Sequence, residues 1–155
     1  MKLDALDIRI LALLQADASL QMSEIAQQVG LSATPCWRRI QRMKDAGVIL
    51  RQVTLLDPKK VNVGVTVFVS VRTRNHTQEW FSTFRATVQA IPEVVEFYRM
   101  SGEVDYLLRV VVPDIAAYDS VYKRLTAGTD ILDVTSSFAM EELKLTTSLP
   151  LNYAH

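Results

Sequence analysis

The chain has 155 residues, enough for one ordinary domain or two small ones, and its 49% hydrophobic and 22% charged content is that of a globular protein, which excludes disordered and fibrous classes. Formal net charge is zero, but residues 1–60 carry nine Lys/Arg against six Asp/Glu (+3), whereas residues 61–155 carry eight against eleven (−3). The single cysteine, Cys36, leaves no internal disulfide and fits a reducing, cytoplasmic setting. No apolar run approaches the roughly 20 residues of a membrane helix, and the start of the chain lacks the zones of a signal peptide, so no membrane partner is expected.

In chain order, Asp4 caps a first helix carrying Leu6, Ile10, Leu13 and Leu14 on one side. Ser23 is the expected cap of a short second helix with Ile25, Ala26 and Val29 inward, which Gly30 ends in a left-handed conformation. Ser32 caps a third helix running to Ala46, stopped by Gly47, and Val48 through Leu56 reads as a strand. Asp57-Pro58-Lys59-Lys60 breaks the periodicity and marks a linker. From Val65 the pattern alternates with strand period to Arg72. Thr77 then caps a helix with Phe81, Phe84, Val88 and Ile91 in one stripe, ended by Pro92. Strands over Val94–Met100 and Tyr106–Val112 flank a Gly102 turn. Asp114 caps a helix with Tyr118, Val121, Tyr122 and Leu125 inward, and a last strand runs from Val134 to Leu143. The expected organisation is α+β: a (winged) helix-turn-helix domain over residues 1–56, a linker over 57–63, and a ferredoxin-like βαββαβ domain over 64–155.

Two short helices joined by a tight glycine turn are the pattern that places a helix in the major groove of duplex DNA. At about 100° per residue, Cys36, Ile40 and Met43 form a packing stripe on the third helix. Pro35, Arg38, Arg39 and Arg42 fall together away from it, with Thr34 near the same face. Ser32, Thr34, Pro35, Arg38, Arg39 and Arg42 are therefore the candidate DNA-binding residues, because arginine pairs bidentately with guanine or phosphate and the helix start offers free N–H groups. A cluster of arginines can also be merely a solvated face. Cys36 can be a redox sensor, but its place on the packing stripe favours the core. Trp37 points away from both faces, against the first helix or a partner subunit.

The run Leu31-Ser32-Ala33-Thr34-Pro35-Cys36-Trp37-Arg38-Arg39-Ile40, with Met43 and Gly47-Val48-Ile49, resembles the Lrp/AsnC (feast/famine) family of transcription regulators. So do Leu3 to Leu11 in the first helix, Leu56-Asp57-Pro58 at the linker, Met100 to Leu108 in the second half, and Val134 to Glu142 near its end. The similarity covers nearly the whole chain in order. It implies a homodimer formed through the α/β domain, further assembly to an octamer, binding to a pseudo-palindromic operator, and a small amino-acid effector held in a cleft between dimers. The implied effector residues are Ser101, Gly102, Glu103, Asp105 and Tyr106 of one loop, and Ser136, Ser137 and Phe138 of the last strand. The Thr-Pro-Cys-Trp run and the tail Thr146–Leu151 resemble a branch that responds to cysteine or other small amino acids.

The loop has chemistry suited to an amino acid. Gly102 permits positive φ and close backbone approach, turn amides can hold a carboxylate, Asp105 can hold an ammonium, and Ser136 and Ser137 offer hydroxyls. The competing reading is that Gly102 and Asp105 only build a tight β-turn. Nothing points to catalysis. The two histidines, His76 and His155, lie far from Cys36 in sequence, and no metal-ligand, phosphate-loop or nucleophile–base spacing occurs, so no cofactor, metal or catalytic residue is expected. The alternatives to a DNA-binding regulator are an effector-binding module with degenerate DNA binding and, more remotely, an amino-acid-metabolising enzyme.

Overall fold

A computed structural model describes residues Met1 to Ala154; His155 lies outside the described residues. The chain divides into two compact units, Met1–Thr54 joined by the tail from Lys144 onward, and Leu55–Leu143. The tail thus belongs with the first unit, not with the α/β domain over 64–155 expected from the sequence.

The first unit holds α1 (Ala5–Ala16), α2 (Met22–Val29) and α3 (Ala33–Asp45). Asp4 caps α1 in a reciprocal box: the Asp7 N–H donates to Asp4 Oδ1 at 2.9 Å, and the Asp4 N–H donates to Asp7 Oδ2 at 3.1 Å. The cap of α2 lies two residues before the expected Ser23. Gln21 is the N-cap, and its N–H donates to the Glu24 carboxylate at 2.7 Å, a partner Ser23 has no comparable glutamate to supply. Gly30, at φ +75°, ends α2 and allows the short step to Ser32, the N-cap position of α3. Ile10, Leu11, Ile25, Ala26, Val29, Cys36, Ile40 and Met43 form the core of this unit. Gln15 ties the tail down by donating to the Leu149 carbonyl at 3.2 Å and accepting the Leu149 N–H at 2.7 Å, and Leu151, opening a 3-10 turn over Leu151–Tyr153, packs against the same core.

The strand expected over Val48–Leu56 is not formed. The Val48 and Ile49 N–H groups donate to the Met43 carbonyl, closing the end of α3, and Leu50, Val53, Leu55 and Leu56 follow as exposed chain in neither helix nor strand. A strand exists only where a second backbone pairs with it. The expected linker is a compact turn in which the Val63 N–H donates to the Pro58 carbonyl at 2.8 Å and Asn62 takes a positive φ of 59°.

The second unit is β1 (Val65–Arg72), α4 (Gln78–Gln89), β2 (Val94–Arg99), β3 (Tyr106–Val112), α5 (Ile115–Thr126) and β4 (Asp133–Phe138). The sheet is antiparallel throughout in the order β2-β3-β1-β4, the ferredoxin-like arrangement. Thr77 and Asp114 cap the two helices as expected, accepting from Trp80 N–H and Ala117 N–H. Val67, Val69 and Val71 of β1 and Tyr106, Leu108, Val110 and Val112 of β3 face the helices, which return Trp80, Phe84, Val88, Tyr118, Val121 and Leu125. Tyr122, expected inward, is 38% exposed. Strand β4 stops at Phe138 instead of Leu143: Phe138 pairs with Val67, the Ala139 N–H still donates to the Thr66 carbonyl, and in this register β1, starting at Val65, has no residue to oppose anything past Met140.

Candidate functional site

Helix α3 is held by Cys36 and Met43, fully buried, and Ile40, nearly so. Burial pushes the Cys36 thiol up from its ordinary value, against a smaller downward pull from the Arg39 charge, so the residue is a core side chain and not a poised thiolate. The expected shared face of Pro35, Arg38, Arg39 and Arg42 is split. Arg38 is exposed and makes no ion pair among the described residues. Arg39 turns back to α1, where its Nη1 donates to Asp4 Oδ2 at 2.6 Å and to Asp7 Oδ1 at 2.8 Å. Arg42 Nη2 donates to Asp7 Oδ2 at 2.8 Å, although half of its side chain stays in solvent. The physical reason is position around the helix: Arg39 flanks the buried stripe on the side of α1, where two carboxylates wait.

The outward face of α3 therefore carries Thr34 and Arg38, flanked by Trp37 on one side and by Arg42 and Pro35 on the other, with Ser32 exposed at the helix start. Trp37 is 53% exposed and borders a shallow apolar notch with Met22, Ala33 and Thr34, so within this chain it lies beside the start of α2 and not against α1. Asp7 is fully buried and holds two arginines. Its role was not legible from sequence. The Asp4-x-x-Asp7 spacing announces a helix cap, but nothing local connects it to residues 32 and 35 positions further on. The Arg39 bond holds the Asp4 carboxyl below the usual aspartate range, and the two acids raise the Arg39 guanidinium.

In the second unit, the segment Ser101–Asp105 is the β2–β3 hairpin turn. The Met100 N–H donates to the Asp105 carbonyl at 2.8 Å, and Gly102 sits at φ +104°, which favours glycine. A Cβ on Gly102 would meet only open space, so the glycine serves the turn's conformation and not a close approach within this chain. Asp105 is tied to β1: its N–H donates to the Val71 carbonyl, and its Oδ2 accepts the Thr73 N–H at 2.8 Å. One carboxylate oxygen is thereby used in shaping the turn, and Oδ1 has no hydrogen-bond partner among the described residues. Ser101 and Glu103 are exposed at the tip.

Ser136, Ser137 and Phe138 are not brought to this turn. Ser136 pairs with Val69 and Ser137 with Phe68, in the middle of β1, whereas Asp105 lies beyond the end of that strand at Val71 and Thr73. Ser136 and Ser137 also point to opposite faces. Ser136 hydrogen-bonds the Tyr118 hydroxyl, whose own titration burial pushes upward, and Phe138 packs edge-on to the Tyr118 ring at 5.3 Å. Tyr106 is buried with Phe84 and Phe97 and lines a groove of about 480 Å³ between α4 and β2, where Arg85 and Arg99 supply positive charge. No cluster of three or more His, Cys, Asp or Glu side chains suited to a metal ion occurs among the described residues.

Residues 3–49 match the family model of a winged helix-turn-helix DNA-binding domain, and residues 66–149 match that of the Lrp/AsnC ligand binding domain. The chain belongs to the Lrp/AsnC family. An AsnC family transcriptional regulator from Agrobacterium tumefaciens is 62% identical, with a TM-score of 0.94 over 97% of this chain and 99% of that one. A Neisseria meningitidis transcriptional regulator solved as an L-Met complex is 38% identical, with a TM-score of 0.92 over 97% of this chain and 98% of that one. Among curated relatives, the transcriptional activator DecR of Escherichia coli is 49% identical over 96% of this chain and 99% of its own length. A glutamate uptake regulatory protein of Zymomonas mobilis is 50% identical over 97% and 92%. This Lrp/AsnC member is thus a DNA-binding transcription regulator and not an enzyme: its first unit carries the helix pair for DNA, and its second carries the family's ligand-binding domain.

Proposed function

We propose that this regulator acts in the cytoplasm as a homodimer that assembles to an octamer, reads a pseudo-palindromic operator through two copies of α3, and is modulated by a small amino acid. The observation that carries the DNA reading is the division of α3 into a buried Cys36–Ile40–Met43 stripe and an outward face bearing Thr34 and the unpaired Arg38. Arg38 addresses a base edge or a phosphate. Arg42, half exposed, adds a phosphate contact from the side of the helix, and Ser32 and Pro35 border the helix start, where free N–H groups meet the backbone. Dimerisation is supported by the sheet face turned away from the helices, where Phe68 and Tyr98 are about half exposed and Leu107 and Val111 face the same way.

The amino-acid reading rests on the β2–β3 turn and on two relatives, one holding L-Met and one named for glutamate uptake. The turn supplies free amides for a carboxylate and Asp105 Oδ1 for an ammonium. Ser136 and Ser137 lie too far from the turn to complete the site within one chain, so a neighbouring subunit contributes the remaining walls. A thermal-shift panel of the twenty amino acids tests this. A ligand at about 100 times its dissociation constant stabilises by about 2.7 kcal/mol, and Asp105→Ala is expected to remove the shift. If no amino acid shifts the melt, or the variant responds like wild type, the turn is only a turn.

A further inference from the structure

We infer that Asp7 is the positioning residue of the recognition helix: its buried carboxylate takes Arg39 out of the DNA-reading set, restrains Arg42, and so fixes which residues α3 presents. The inference rests on α3 being the helix that enters the groove. Asp7 has no exposed surface, and both of its oxygens are used, Oδ1 by Arg39 and Oδ2 by Arg42 and by the Asp4 N–H. Asp4 closes the arrangement by accepting from Arg39 while capping α1, so the start of one helix and the middle of another share four charged side chains.

Two arginines three residues apart lie on one side of a helix, about a turn from each other. The buried Cys36–Ile40–Met43 stripe holds α3 from one side; two contacts to one carboxylate restrain its roll from a second side, which a single contact would do less well. Rolling matters for reading DNA. With side-chain tips about 5–6 Å from the axis, a roll of about 20° displaces Arg38 and Thr34 by on the order of 2 Å, enough to break a bidentate hydrogen bond to a base edge. Buried ion pairs contribute little net stability, and geometric specification is the better-attested reason to keep one. Asp7 also neutralises charge that would otherwise meet phosphate without regard to sequence. Helix α3 carries three arginines, and the acid commits one fully and a second in part.

The test uses the full-length protein, a duplex that the wild type enriches from a random library, and a scrambled duplex of the same length and composition. For Asp7→Asn, which keeps the side-chain volume, the ratio of enriched to scrambled affinity is expected to fall at least about tenfold, the discrimination lost with one base contact. Affinity for the scrambled duplex should hold or rise, with a steeper salt dependence from the released arginines. A purely structural role would instead lower both affinities together. A ratio equal to wild type, or a proportional fall in both, overturns the inference. Should Asp7→Asn not fold, Arg39→Gln decides. The inference expects a lower ratio with the salt slope unchanged, and a slope reduced by about 0.9 per helix shows Arg39 on a phosphate and overturns it. If the wild type enriches no sequence, the recognition-helix reading itself fails and takes the inference with it.

Discussion

Arg38→Ala separates the DNA-reading role of α3 from its packing role. Arg38 stands on the outward face, exposed and outside the Asp4–Asp7–Arg39–Arg42 network, so its removal empties no core and leaves no carboxylate unpartnered. Stability should change by less than about 0.5 kcal/mol, as for surface sites away from special contacts. In the proposed dimer, two copies of α3 double the DNA effect. A bidentate arginine–guanine contact is worth about 1–3 kcal/mol, so losing two costs about 2–6 kcal/mol, or roughly 30-fold to 10⁴-fold in affinity at about 1.4 kcal/mol per decade. If Arg38 meets phosphate instead, the loss is shared by all sequences and the salt slope falls by about 1.8, twice the roughly 0.9 per neutralised phosphate. Fluorescence anisotropy titrations of operator and scrambled duplexes across a salt series distinguish the two. A variant with wild-type affinity and slope on both duplexes would refute the assignment of this face to DNA.

Three further outcomes are expected. Phe84 is fully buried, stacked on Trp80 at 5.0 Å and edge-on to Phe97 at 5.7 Å, so Phe84→Ala should cost the second unit about 3–5 kcal/mol, read as a lowered denaturant midpoint of Trp80 fluorescence, whereas an unchanged midpoint would show the cluster loosely packed. Glu93 is held below its ordinary value chiefly by the Arg124 bond at 2.7 Å. A carboxyl with a lowered folded-state value stabilises above its unfolded value and loses that contribution as pH falls through the folded one. Urea melts stepped through the acid range should therefore show Arg124→Met losing less stability than wild type, and parallel curves would count against the pair. Phe68→Lys places a charge on the half-exposed sheet face opposite Ser137; light scattering should then report monomers where wild type gives dimers or larger, and unchanged mass would move the interface elsewhere.

Much of this protein was written in local order. Capping and periodicity act within a few residues, so Asp4, Thr77 and Asp114 announced α1, α4 and α5, the valine alternation announced β1, and the βαββαβ order followed. Gly30 and Gly102 at positive φ were legible for the same reason, since few other residues adopt that backbone. The motif runs carried family and broad function together. Tertiary structure decided what depends on distant partners. Arg38, Arg39 and Arg42 are chemically alike and close on the helical wheel. Only the approach of Asp7, 32 and 35 residues earlier, turns Arg39 back toward α1 and ties down Arg42, which stays half exposed. Val48–Leu56 and the end of the last expected strand have strand composition, yet a strand is a property of two backbones. β4 pairs with β1 only as far as Phe138, opposite Val67, and the tail from Lys144 finds its partners on α1 through Gln15. Ser136 and Ser137, adjacent in sequence, face opposite sides of β4 and lie away from the β2–β3 turn, because pairing register, and not proximity along the chain, sets where a strand residue stands.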